Sequence, residues 1–228
     1  MASRPATERP YDVVTFDCYG TMIDWEGGIR TAFSAFAAAM RVSLDVDAAL
    51  ALYIETEAAV EAEPYRSYRA VLTETTRRIA ARLGWRLPPE RAGFLADSLP
   101  AWPPFPDTNP ALRRLADAGY QLGILSNIDD ELLAWSRRHL AASFQTVVTA
   151  EQVGSYKPAS AHFAAARSLI GEQRWLHAAQ SYFHDVVPAR ALGIPIAWIN
   201  RKGQAPAADA KPDREFRNLT GLADWLAP

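Results

Sequence analysis

Cysteine is nearly missing from this chain. Its 228 residues include one, Cys18, so no intramolecular disulfide can form, and a reducing setting such as the cytoplasm is expected. An excess of positive charge is missing too: 24 lysines and arginines face 26 acidic residues, for a net charge of −2. The basic residues are scattered, nothing gathers a phosphate backbone, and no nucleic-acid partner is expected. No stretch approaches the roughly 18 apolar residues of a transmembrane helix, so no membrane partner is expected. The opening MASRPATERP lacks the apolar centre of a secretory signal and reads as a short frayed leader of a cytoplasmic protein. Internal repeats are absent.

What is present is ordinary globular material. Hydrophobic residues make up 49% and charged residues 22%, enough to bury a core in one large domain or in a core domain with a smaller insertion. Four short apolar runs have the length and β-branched content of buried strands: 11–16 (YDVVTF), 120–126 (YQLGILS), 144–150 (FQTVVTA) and 194–200 (IPIAWIN), with 175–183 (WLHAAQSYF) as a fifth. Between the later runs lie helical patterns with punctuation. DTNPALRRLADAG carries a cap and an early proline and stops on Gly119, and DDELLAWSRRHL has acids in its first turn and bases in its last. Residues 159–170 and 185–193 look similar.

Strands alternating with helices predict an α/β fold with a Rossmann-like parallel sheet. Residues 27–98 break the alternation with Ala-rich helical pattern and no credible strand, which predicts an all-helical cap inserted after the first strand. The core domain is then 1–26 and 99–228, with the Pro-rich LPAWPPFPD (99–107) as the return hinge. The late segment RKGQAPAADAKPDREF reads as a polar surface loop. Apolar faces on the cap helices leave room for a homodimer.

In open parallel sheets ligands bind beyond the carboxyl ends of the strands. The residues just past the runs are therefore the candidates: Asp17, Tyr19 and Thr21; Ser126 and Asn127; Lys157; and His184 with Asp185. Trp25 and Trp102 flank the same region. Each has a bland reading beside the chemical one, since Asp17 can cap a turn, Ser126 and Asp185 can cap helices, Lys157 can be a solvated loop lysine, and His184 can be packing. Asp24 reads as the fastener of the loop into the cap, and Cys18 as a small buried filler. His139, His162 and His177 lack ligand spacing.

The order D-x-Y-G-T, S-N, Y-K-P, an acid before a short helix, and INR resembles the haloacid dehalogenase-like hydrolase superfamily over nearly the whole chain. That resemblance implies a small-molecule substrate attacked by Asp17 to give a covalent ester or acyl-phosphate that water then cleaves. It implies that Thr21 and Ser126 hold the Asp17 oxygens, that Lys157 keeps the carboxyl charged by lowering its pKa, and that Asp185 locks Lys157 or orients the water. Backbone amides around Cys18 and Tyr19 would stabilise negative charge. Phosphatases of the superfamily carry a second acid two residues after the nucleophile and another that binds Mg²⁺; here those places hold Tyr19 and Gln180, so no Mg²⁺ is expected. YGT, LSN and WINR are similar to the L-2-haloacid dehalogenase branch, which implies displacement of a leaving group from carbon of a small carboxylate substrate, with Asn127 at a halide-contacting position. Where that branch has a cap arginine, 50–57 (LALYIETE) has no basic residue, and Phe163 replaces a tyrosine. Two alternatives stay open: a phosphatase or atypical C–N or C–O hydrolase using His184 as acid or base, and a non-catalytic binding module.

Overall fold

A computed structural model describes residues 9–206 and 210–228. Of the expected leader, 1–10, residues 1–8 lie outside the described residues. Six parallel strands form one sheet in the order β3-β2-β1-β4-β5-β6: β1 Val13–Phe16, β2 Gln121–Ser126, β3 Thr146–Thr149, β4 Trp175–Ala179, β5 Ile196–Ile199 and β6 Arg214–Phe216. All four residues of β1 are buried, which is why the run is continuously apolar instead of alternating. β1 lies between β2 and β4, with Phe16 opposite Ile124 on one side and Ala178 on the other. That register brings the ends of β1, β2 and β4 to one level.

β6 is a correction. Its residues belong to a stretch that reads as a loop, yet they pair with β5 through Ala197–Arg214, Trp198–Glu215 and Ile199–Phe216. Arg214 and Glu215 are exposed, as suits a sheet edge, where charge discourages pairing with another chain. An edge strand so short and charged leaves no apolar signal.

After β1 come α1 Trp25–Met40, α2 Val46–Glu61, α3 Tyr68–Arg82 and α4 Phe94–Ser98, with short 3₁₀ turns at Pro89–Arg91 and Leu99–Ala101. Asp24 accepts from the Gly27 N–H at 3.0 Å and so caps α1 at the point where the chain leaves the sheet. Aromatics hold the insertion together, with Phe36 stacked on Phe94 at 4.4 Å and Phe33 edge-on to Phe94 at 5.6 Å. Six further helices follow: α5 Thr108–Asp117, α6 Asp130–Arg137, α7 Ala150–Val153, α8 Ala161–Ile170, α9 Val187–Ala191 and α10 Leu219–Leu226. A π-helical turn at Tyr182–Val186 precedes α9. Among the described residues no helix is long and apolar enough to cross a membrane.

A buried carboxylate fastens the helical layer to the sheet. Asp129, just past β2 and 7% exposed, accepts from the backbone N–H groups of Tyr68 at 2.7 Å and Arg69 at 2.8 Å, the first turn of α3. A residue of the sheet domain thus caps a helix of the insertion, where the helix dipole favours an anion. Tyr156 adds a second tie by donating to the Arg66 carbonyl at 2.8 Å. Asp129→Ala should lower stability by about 1–2 kcal/mol, measured by denaturant unfolding, and should raise amide exchange at Tyr68 and Arg69 ahead of the sheet.

Candidate active site

A cavity of about 260 Å³ opens between the carboxyl ends of the strands and helices α1 to α3. Asp17 stands on its floor, one residue beyond β1, with its own N–H held by the Ala178 carbonyl at 3.1 Å. One carboxylate oxygen accepts from the Thr21 hydroxyl at 2.9 Å and the other from the Lys157 ammonium at 3.0 Å. Gly20, at φ +94°, turns the chain between Asp17 and Thr21; a Cβ there would lie 3.1 Å from the Trp25 indole nitrogen and 3.2 Å from the Gln180 amide oxygen. Thr21 is fixed from behind by the Gln180 N–H at 2.8 Å. Arg201, the arginine of INR, donates to the Thr21 carbonyl at 2.7 Å while paired with Asp107.

Lys157 is 1% exposed, and its ammonium has three acceptors: Asp17, Asp185 at 2.6 Å, and the Leu125 carbonyl at 2.9 Å. Burial works against its charge, but the two carboxylates outweigh this and hold the ammonium above its ordinary pKa. Burial likewise opposes the charge of Asp185, yet Lys157 and a histidine bring that carboxyl down to about 2. Asp17 responds differently from expectation. Burial and the neighbouring Asp185 raise it above its ordinary value even though Lys157 and Thr21 pull it down.

The histidine is His177, whose Nε2 lies 3.0 Å from Asp185 Oδ1. Its Nδ1 lies 2.8 Å from the Thr15 hydroxyl, which accepts from the Trp175 indole N–H at 2.7 Å. In the neutral ring this chain of bonds puts the proton on Nε2, donated to the carboxylate, and leaves Nδ1 to accept from Thr15. All of these groups except the rim of Trp175 are fully buried. Nothing in the spacing of histidines points to His177; the signal is its position opposite Thr15 in the β1–β4 register, which pairing alone reveals. His162, fully buried, donates from Nε2 to the Ser126 carbonyl at 3.1 Å, and burial keeps it neutral by lowering it to about 4.

The other expected site residues divide by geometry. Ser126 lines the cavity, but its buried hydroxyl has no partner among the described residues and does not hold Asp17; Thr21 alone does so. Asn127 also lines the cavity, with its amide clamping the Lys157 backbone, accepting from the N–H at 2.7 Å and donating to the carbonyl at 3.0 Å. The Cys18 side chain lies wholly in the core, off the cavity, where burial pushes its thiol up. Its N–H and that of Tyr19 have no protein acceptor among the described residues. Tyr19 presents its ring to the cavity while its hydroxyl pairs with Ser136 at 2.7 Å. His184 faces the cavity, its Nδ1 3.1 Å from the Ser181 hydroxyl, and burial lowers its pKa. Trp25 and Trp102 form apolar wall, and Trp102 rests on Gly28, where a Cβ would fall 2.3 Å from the ring.

Three wall residues on α2 escape a reading of strand ends. Tyr53, Glu57 and Glu61 recur every four residues, one helix face, and all three line the cavity. Glu57 accepts from the Tyr68 hydroxyl at 2.8 Å, and Tyr68 in turn lies 3.2 Å from the Tyr53 hydroxyl.

Comparison with known proteins gives one family. A family model described as haloacid dehalogenase-like hydrolase matches residues 11–179. An (S)-2-haloacid dehalogenase of Pseudomonas putida is 30% identical over 169 residues, 71% of this chain and 73% of that protein. A second from P. putida, (S)-2-haloacid dehalogenase H-109, is 26% identical over 96% of this chain and 99% of its own length. The crystal structure of the defluorinating L-2-haloacid dehalogenase Rha0230 shares the fold at TM-score 0.84, with 23% identity over 96% of both chains. With a family match over residues 11–179, most of its length, the chain is an enzyme and belongs to the haloacid dehalogenase-like hydrolases.

Proposed function

We propose that this enzyme displaces a leaving group from a saturated carbon of a small carboxylate substrate, as its (S)-2-haloacid dehalogenase relatives are named for doing. The observation that carries the reading is Asp17 itself, a carboxylate at the cavity floor fixed by Thr21 on one oxygen and Lys157 on the other. An Asp17 oxygen forms a bond to the substrate carbon, and the leaving group departs with the bonding electron pair. Water then adds to Asp17 Cγ, the bond from Cγ to the substrate oxygen breaks, and the alcohol leaves. The Cys18 and Tyr19 amides, without protein acceptors, are the donors for the oxyanion of that second step. His184, held neutral by burial, takes the proton of the water.

The donor set does not suit a magnesium ion. Tyr19 has its hydroxyl bonded to Ser136, Gln180 offers an amide, and the two buried carboxylates share Lys157. Among the described residues no three of His, Cys, Asp and Glu gather to hold a metal.

Asp17→Asn should lower turnover of 2-chloropropionate by roughly 10⁴-fold or more. In ¹⁸O-water, a single turnover should leave label on Asp17 and none in the product, read by peptide mass spectrometry; label in the first product would exclude the ester. Magnesium-dependent release of phosphate from phosphate esters, without halide release, would favour a phosphatase instead.

The pH profile has a stated direction. Asp17 must be ionised to attack, and its carboxyl is raised, so kcat/KM should fall with acid through an inflection above the ordinary 3.8. An inflection at or below 3.8 would contradict the burial argument.

His177 is a positioning residue for the lysine. His177→Leu removes a donor from a buried carboxylate and should destabilise by about 1.5–3 kcal/mol near neutral pH. The deficit should shrink on acidification, because Asp185, at about 2 when folded and 3.8 unfolded, contributes stability that is present above about 4 and lost towards 2. Unfolding curves of both proteins between pH 2 and 7 test this, and His177→Gln should recover part of the loss.

A further inference from the structure

We propose that the cap recognises a cation: the substrate carries an ammonium or a similar N–H-bearing positive group at the end remote from the carbon that Asp17 attacks. The inference rests on the reading above for the attacked end and concerns the opposite wall.

The charge around the cavity is lopsided. Four carboxyl groups line it, Asp17, Asp185, Glu57 and Glu61, against one ammonium, Lys157. Lys157 is already shared by the two aspartates on the floor. The cap wall therefore has two acids and no basic partner. Glu57 has one hydrogen bond, from Tyr68, and no donor reaches the Glu61 carboxyl among the described residues. The Glu57 and Glu61 side chains are half-buried, and the same cavity holds two fully buried atoms without a partner among the described residues, the hydroxyl of Ser126 and Oδ2 of Asp185. Buried polar atoms so placed face a ligand or are poorly satisfied, and each such orphan is costly.

The electrostatics of the empty wall agree with the geometry. Burial pushes Glu57 up to about 7, and burial together with Glu57 pushes Glu61 up to about 9. Near neutral pH the pair therefore retains protons, as like charges without a counter-ion do. An arriving ammonium supplies that counter-ion and releases proton to solvent. The apolar wall of Trp25, Trp102 and Tyr53 suits the aliphatic span between the two charged ends, and an aromatic face also attracts an ammonium.

The test uses unreactive ligands, so that it does not depend on turnover. Binding of 3-aminopropanoate, 4-aminobutanoate, 5-aminopentanoate and 6-aminohexanoate is compared with that of the alkanoate of the same chain length, by calorimetry in two buffers of different ionisation enthalpy. At least one amino acid of the series should bind at least tenfold more tightly than its alkanoate, with net proton release. In the Glu57→Gln/Glu61→Gln double variant that advantage and the proton release should vanish while the alkanoates bind as well or better. Equal or tighter binding of every alkanoate, or an advantage that survives in the double variant, overturns the inference. Bromide release from 2-bromopropionate is followed in parallel. Its absence would count against the attack by Asp17 and leave the charge preference of the cap to be read from the binding series alone.

Discussion

Everything at the centre of this molecule is arranged around one ammonium buried between two carboxylates. Lys157 touches Asp17, Asp185 and the Leu125 carbonyl, so each of its three N–H groups has an acceptor. Removing either partner from such a buried pair costs about 3–5 kcal/mol, because the charge left behind has no water to answer it. The surrounding structure secures each member separately. Asn127 clamps the backbone of the lysine, Thr21 holds the far oxygen of Asp17, and His177 with Thr15 and Trp175 supports Asp185 from inside the sheet. The nucleophile is consequently oriented on both oxygens, and its basicity is raised by the dry setting rather than lowered by the lysine.

The helical layer completes the site from above and is electrically unlike the floor. The floor balances two acids against one base, whereas the wall of α2 has acids only. Function on a shared frame is set by the side chains grafted on it, and here the two faces of the cavity differ in charge. Asp129 couples the two layers, since the same strand end that supplies Ser126 and Asn127 also caps α3.

Much of this was legible in the sequence, for reasons that differ by element. β1 and β2 announce themselves because buried parallel strands need apolar residues at every position, and a residue just past such a run in an open α/β sheet is a candidate for chemistry. That logic found Asp17, Lys157 and Asp185, which the structure brings within hydrogen-bond reach. It failed for β6, whose edge position asks for charge instead of hydrophobicity. It also misplaced the hydroxyl of Ser126, because a strand end fixes where the backbone is and not which rotamer faces the cavity. His177 and Glu61 were invisible for another reason: one matters through its register with a neighbouring strand, the other through a cap folded back over the sheet. Both are long-range relations that no local window contains. Arg201 shows the converse, a motif residue that braces the turn behind Asp17 and leaves the cavity to others.

Gly28 is the smallest residue in the story and sets the size of the chamber. The indole of Trp102 lies flat in the space that any side chain at position 28 would claim. A methyl group there would force the ring to swing, and the ring has the cavity on its other side. Position 28 lies in the first helix after Asp17, so a single change there bears on the wall that Trp102 forms. A lineage adapting to a shorter or longer substrate has a mechanical dial at position 28, apart from the Lys157 ion pairs on the floor.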